Sequence, residues 1–156
     1  PERKEVLSEE TAYLMTSLMQ TVMDRGTGGS ARWKYKFNRP AAGKTGTTQG
    51  WSDAWFVGFT PQIAAGCWFG VDDFRVPLGP GQDGSTAALP AWARFMKGAH
   101  DTLDFPIQKF EKPSGIRDIE ICSVTKNAPV SACPVEKEIY KIGTEPIQKC
   151  KVHRTK

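Results

Sequence analysis

Ala41-Ala42-Gly43-Lys44-Thr45-Gly46-Thr47-Thr48 is the stretch on which the reading of this chain turns. Two chemistries compete for it. Gly43-Lys44-Thr45 supplies the last three residues of a phosphate-binding loop, but that loop also needs a glycine five positions earlier, where Asn38 stands. It further needs a helix directly after the threonine, whose first amides would cradle phosphate. Gly46-Thr47-Thr48-Gln49-Gly50 is poor helix material, so the stretch is read as a strand running into a turn.

On a strand, Thr45 and Thr47 project from one face and present two hydroxyls to a carboxylate. Lys44 brings an ammonium that attracts an anionic substrate and biases nearby proton transfers. Gly46 has no side chain, so a substrate can lie against the backbone. The amide of Thr47, just beyond it, is a candidate for half of an oxyanion hole.

Working outward, residues 54–59 and 63–71 read as two further strands separated by Thr60-Pro61. Connections this tight imply an antiparallel meander, because a parallel pair needs a crossover of a dozen or more residues. The near-continuous apolar run Ile63-Ala64-Ala65-Gly66-Cys67-Trp68-Phe69 points to a sheet covered on both faces. Upstream, residues 9–25 read as an amphipathic helix capped by Ser8, with Leu14, Leu18, Val22, Met15, Met19 and Met23 forming a buried stripe. Gly26, Gly28 and Gly29 stop it, and residues 30–42 read as a polar, aromatic loop. After a Pro/Gly-rich loop over 77–84, residues 86–100 predict a second helix, with Leu89, Trp92, Ala93, Phe95 and Met96 on its apolar face. The character changes past Phe105-Pro106. The reading divides the chain into residues 1–105 and a small cysteine-containing appendix, 106–156, with β-prone pieces at Ile119 to Val124 and Glu138 to Ile142.

Composition is that of a globular chain: 156 residues, 39% hydrophobic and 24% charged, with no apolar run long enough to span a bilayer. The net charge of +4 concentrates near the end, at Lys149, Lys151, Arg154 and Lys156. No aromatic residues interleave with those charges to stack on bases, so no nucleic acid partner is expected. The chain opens on Pro1 without a Met, which reads as a fragment of a longer protein.

The flanks of the Lys-Thr-Gly triplet carry a resemblance. Lys44-Thr45-Gly46-Thr47-Thr48 continues through Asp53-Ala54-Trp55-Phe56-Val57-Gly58-Phe59-Thr60-Pro61 to Trp68-Phe69-Gly70-Val71-Asp72-Asp73. This order resembles the third to fifth strands of the bifunctional, class A type penicillin-binding proteins, peptidoglycan synthases that join glycosyltransferase and transpeptidase domains. Ser8 to Arg25 resembles their preceding helix, Leu89-Pro90-Ala91-Trp92 to Met96 their C-terminal helix. More loosely, Ala132-Cys133-Pro134 and Gly143-Thr144-Glu145-Pro146, with Cys150 and His153, resemble a tail found in some of them.

The resemblance implies an α+β fold, an antiparallel sheet covered by helices, here the C-terminal part of a serine β-lactamase/transpeptidase-like domain. It implies that Lys44 assists proton transfer and that Thr45, Gly46 and Thr47 bind the stem-peptide carboxylate or a β-lactam. The amide of Thr47 would join that of the nucleophilic serine in the oxyanion hole. Asp53, Trp55 and Asp72-Asp73 read as structural. The family's Ser-x-x-Lys and Ser-x-Asn elements do not precede the triplet, so no nucleophile is assigned in this chain. Ser123-Val124-Thr125-Lys126 is read as a decoy, because it lies in the tail without a helix. The polypeptide alone is therefore expected to be inactive, and the missing half of the domain is its expected partner, with self-association in its absence.

The complete protein is expected on the extracytoplasmic face of the bacterial inner membrane, anchored by a segment outside this sequence. The alternatives are a β-lactam sensor or a cell-wall binding module on the same fold. No cofactor or metal is assigned. Of the four cysteines, Cys133 and Cys150 are expected to form a disulfide, since they flank the turn-rich end of an exported tail. Cys67 is expected to be a buried free thiol and Cys122 is left undecided. Zinc is the competing idea, on the spacing of Cys150 and His153, and it is set aside because no Cys-x-x-Cys pair accompanies them.

Overall fold

The computed structural model describes residues 4–73 and 75–153; Arg154 and Lys156 of the basic end lie outside the described residues. The chain divides into two compact units, one of residues Met15–Phe110, the other of Pro1–Leu14 with Glu111–Lys156. No helix among the described residues is long and apolar enough to cross a membrane.

In the first unit, helix α1 (Glu9–Arg25, which begins in the other unit) is followed by the short helix α2 (Ser30–Trp33). Strands β1 (Ala42–Thr47), β2 (Asp53–Phe59) and β3 (Ala64–Gly70) make an antiparallel meander in the order β1-β2-β3. A π-helical turn (Gly84–Ala88) then leads into helix α3 (Leu89–Thr102). Asp83 caps that turn, accepting hydrogen bonds from the amides of Ser85 at 2.8 Å and Thr86 at 2.9 Å, which satisfies two of the donors a helix start leaves open.

The core of this unit gathers on one indole. Trp92, on α3, is fully buried, and its Nε1 donates to the carbonyls of Ala65 at 3.1 Å and Gly58 at 3.3 Å. The ring lies against Phe56 (4.8 Å between centroids) and edge-on to Phe37 (5.4 Å). Two glycines make room. A Cβ on Gly58 would sit 2.7 Å from Trp92 Cζ2, and one on Gly43 would sit 2.7 Å from Phe56 Cζ. Nearby, buried His100 is fully partnered: its Nδ1 bonds the Met96 carbonyl at 2.7 Å and its Nε2 bonds the Thr60 hydroxyl at 3.0 Å.

Four expectations change. The sheet is covered on one face only among the described residues: Ala54 and Phe56 are buried, whereas Trp55, Val57 and Trp68 on the opposite face are 45%, 52% and 44% exposed. An unbroken apolar run was taken for two covered faces, and here it is the alternation of one covered face and one bare one. The stripe on α1 buries only Met23 completely, and Met15 and Leu18 are exposed. Phe95 likewise faces solvent, while His100 takes a place on the buried face of α3. Within the expected loop 30–42, Ser30–Trp33 is helical, because Arg32 organises the segment: it donates to Asp24 at 3.0 Å and to the Phe37 carbonyl at 2.9 Å.

The second unit is built on a hairpin of β4 (Ile116–Cys122) and β5 (Val135–Lys141), in register Ile116↔Lys141 to Cys122↔Val135. Gly115 lies so close to Glu10 that a Cβ there would be 2.6 Å from its carboxylate.

Gly58→Ala is expected to lower stability by about 1–3 kcal/mol, the scale of overpacking a filled core. Gly98→Ala, where an added methyl meets nothing within 4 Å on helix α3, is expected to raise it by about 0.5–1 kcal/mol. Urea melts of both variants check the pair, and equal midpoints would contradict the wedge. The bare face and the outer edge of β3, unpaired among the described residues, also lead us to expect concentration-dependent association of this polypeptide in light scattering, weakened by Trp68→Lys. A monomer at every concentration, with or without the charge, would contradict it.

Candidate active site

β1 is the outer strand on the other side of the meander, and its pairing fixes which groups it offers. The Thr48 amide bonds the Asp53 carbonyl at 3.2 Å, in register with Thr47↔Ala54 and Gly46↔Trp55. Antiparallel pairs alternate, so Lys44 and Gly46 turn their backbone groups toward β2 while those of Thr45 and Thr47 face the open edge. The Thr47 amide thus points out from an edge that pairs with no other strand among the described residues.

Side chains alternate the other way. Lys44 shares the bare face with Val57 and Trp55, while Thr45 and Thr47 share the covered face with Phe56 and Ala54. The Lys44 ammonium folds over the edge and donates to the Thr45 carbonyl at 2.8 Å. Both threonine hydroxyls are engaged on the covered side. Thr45 Oγ1 lies 3.2 Å from the Thr27 hydroxyl, and Thr47 Oγ1 accepts from the Gly84 amide at 3.1 Å. Gly84 must be glycine for this approach, since a Cβ would stand 2.3 Å from the Trp55 carbonyl. Gly46 lies over Trp55, with 3.2 Å between its would-be Cβ and the Trp55 Cβ.

Thr27 and Gly84 are therefore parts of the site that the sequence reading passed over. Asp83-Gly84-Ser85-Thr86 carried a helix-start signal, whereas Thr27 carried none. Of the residues read as structural, Asp53, beside the Thr47 end of β1, accepts from Trp68 Nε1 at 2.8 Å, and Asp73, in the loop after β3, takes three hydrogen bonds from Arg75. Those bonds hold the Asp73 carboxyl below its usual range, the Arg75 side chain being the main cause.

Ser123-x-x-Lys126 sits in the β4–β5 connection, not on a helix. The Ser123 hydroxyl donates to the Pro134 carbonyl at 3.2 Å, Lys126 pairs with Glu136, and Lys126 has a φ of 58°. All four cysteines are free thiols, so the expected Cys133–Cys150 disulfide is not formed in this structure. Instead Cys122, Cys133, Cys150 and His153 turn inward together, their ligand atoms all within 4.8 Å of one another. Cys67 is half-buried rather than buried, and desolvation pushes its thiol up.

With this geometry in view, comparison with known proteins is decisive. The family described as "Penicillin binding protein transpeptidase domain" matches residues 1–91, more than half of the chain. The chain belongs to the penicillin-binding protein transpeptidase family. A second family, described as "Penicillin-binding protein 1A, C-terminal domain", matches residues 112–155. Among curated relatives, penicillin-binding protein 1A of Clostridium tetani (strain Massachusetts / E88) is 35% identical over 95% of this chain and 19% of its own length. Penicillin-binding protein 1A of Aquifex aeolicus (strain VF5) is 35% identical over 96% of this chain and 20% of its own. The crystal structure of penicillin-binding protein 1A from Haemophilus influenzae superposes with a TM-score of 0.81 at 31% identity, covering 93% of this chain and 22% of that one. The chain thus spans about a fifth of the length of the relatives it matches. Its mixed helices and antiparallel sheet are those of the family fold, as the sequence led us to expect.

The family also sharpens the reading of Ser123, whose hydroxyl is bonded inside a hairpin. The 156-residue polypeptide incubated with a fluorescent penicillin is expected to show no covalent mass shift; a stoichiometric adduct on Ser123 would overturn that.

Proposed function

We propose that the complete protein is a serine-type D-Ala-D-Ala transpeptidase that cross-links peptidoglycan stem peptides, and that residues 41–48 form one wall of its active site. The serine, held by a part of the domain outside these 156 residues, attacks the carbonyl of the penultimate D-Ala and expels the terminal D-Ala. An amine of a neighbouring stem peptide then attacks the acyl-enzyme and returns the serine hydroxyl. A β-lactam enters the same step as a substrate mimic.

The observation that carries this reading is the division of labour on β1. Lys44 stands on the bare face of the sheet, and the Thr47 amide faces the open edge beside it. The Lys44 ammonium, once drawn away from the Thr45 carbonyl, attracts the substrate carboxylate and by its charge assists proton transfer at the serine. The Thr47 amide meets the developing oxyanion, together with the amide of the serine itself. Thr45 and Thr47 bind the carboxylate by turning their hydroxyls out from Thr27 and Gly84. Such a protein acts on the extracytoplasmic face of the bacterial inner membrane, where its substrate is, with a glycosyltransferase and an anchor in its remaining length.

Lys44→Ala in the complete protein is expected to slow acylation by a β-lactam at least about a hundredfold, the scale of one positioned proton-transfer or electrostatic group. Stopped-flow acylation of wild type and variant measures it, and near-normal acylation would refute the role of Lys44. Turnover of a D-Ala-D-Ala peptide in the presence of an acceptor amine separates a transpeptidase from a sensor, which acylates and stops.

A further inference from the structure

The unit of the tail poses a problem of stability. Among the described residues from 111 onward, the buried apolar side chains are Ile116, Ile121, Cys122 and Cys150. Two isoleucines on a two-stranded hairpin do not make a core that holds by itself. Units this poor in core are closed by disulfides or by a metal.

The geometry separates those two means. Nδ1 of His153 lies 3.5 Å from Cys122 Sγ, 3.5 Å from Cys133 Sγ and 3.3 Å from Cys150 Sγ. A ring nitrogen has a single in-plane direction, serving one hydrogen bond as donor or acceptor. Three sulfurs crowded about one such nitrogen cannot all be hydrogen-bonded to it. A shared central ion accounts for all three. With metal–sulfur bonds of about 2.3 Å and a metal–nitrogen bond of about 2.0–2.1 Å, a tetrahedral ion sets sulfur and nitrogen about 3.6 Å apart. A disulfide would join two of the four groups at about 2.05 Å and leave the other two without a purpose.

The backbone brings the four residues to one point. Cys122 ends β4 and Cys133 stands just before β5, so the hairpin connection closes on both. A parallel bridge Ala128↔Lys149, with the Ala128 amide bonded to the Gln148 carbonyl and the Cys150 amide to the Ala128 carbonyl, lays the final segment across that connection. Groups that would support thiolates are in place as well. The Val130 amide donates to Cys133 Sγ at 3.3 Å, and the buried Thr125 hydroxyl stands beside the sulfurs of Cys122 and Cys150.

We propose that Cys122, Cys133, Cys150 and His153 form a tetrahedral structural site for one zinc ion, bound through three thiolates and His153 Nδ1. All four positions are filled by protein, so the ion carries no open site for catalysis and acts as the staple of the tail. Three thiols release their protons to solvent on binding. The site is independent of the transpeptidase reading, since none of its residues belongs to the Lys-Thr-Gly strand.

The test uses the whole 156-residue polypeptide, reduced, stripped with a chelator and titrated with zinc or cobalt(II) salts. We expect one zinc per chain by elemental mass spectrometry. With cobalt we expect intense visible absorption of a tetrahedral ion and thiolate-to-metal charge-transfer bands. Cys67→Ser should keep both. Cys133→Ser and Cys150→Ser should weaken zinc binding at least tenfold. Cys133→His, which keeps a ligand atom, should shift the cobalt spectrum and reduce its charge-transfer intensity rather than abolish it, so a variant that merely unfolds is told apart. Less than a tenth of an equivalent of zinc on the reduced wild type, or an octahedral cobalt spectrum without charge transfer, would overturn the proposal. So would zinc binding unchanged in both serine variants.

Discussion

One indole sets the position of everything in the unit of residues 15–110. Trp92 is wedged under β2 and β3, tied by its single N–H to the carbonyls of Gly58 and Ala65. A buried tryptophan needs a partner for that N–H, and it takes carbonyls that the sheet has already placed, so helix α3 cannot slide without losing the bond. The ring's bulk is accommodated because Gly58 has no side chain, and Phe56, pressed against it, in turn requires Gly43. Gly43 immediately precedes Lys44. The wedge thus transmits the packing of a helix to the residue before Lys44, through two aromatic rings and two absent methyl groups.

That arrangement explains why the lysine and the threonines need each other's company but not each other's face. A strand cannot present neighbouring side chains on one side. Here Thr45 and Thr47 point toward the covered side, where Thr27 and Gly84 hold them, and the strand is thereby fixed in register and twist. Lys44 then projects on the bare face, and the two outward amides follow from the ladder without any further device. The strand thus carries the Lys44 ammonium and the outward Thr47 amide at one edge, with both threonine hydroxyls engaged on the covered side.

The local parts of this were legible in the sequence. Short spacings between apolar runs fixed the meander, and the boundaries of β1, β2 and β3 fall within one residue of those read. The Lys-Thr-Gly strand was legible because alternation is a local property. What was hidden depended on partners far along the chain. Whether Trp55, Val57 and Trp68 face a core or solvent cannot be told from their own apolarity, which is the same in either case. Arg32 shaped residues 30–37 through Asp24 and a carbonyl, a pattern that no spacing rule flags. The four-residue cluster in the tail was passed over because zinc was sought as a Cys-x-x-Cys signature. Cys122 and Cys133 instead meet through the register of a hairpin, and Cys150 and His153 arrive through a bridge between Ala128 and Lys149.

The two units meet the same requirement by opposite means. A fold must remove enough apolar surface from water to offset the entropy of ordering its backbone. Residues 15–110 do so with Phe37, Phe56, Leu89, Trp92 and Met96, all fully buried or nearly so. The tail has two buried isoleucines and puts its remaining buried positions into sulfur. Cysteine is a small hydrophobe, so Cys122 and Cys150 add little apolar area to that core. In the proposed site three thiolates at this spacing repel one another, so they hold together only around a positive ion. The hairpin and the final segment therefore hold together to the extent that something positive sits between them.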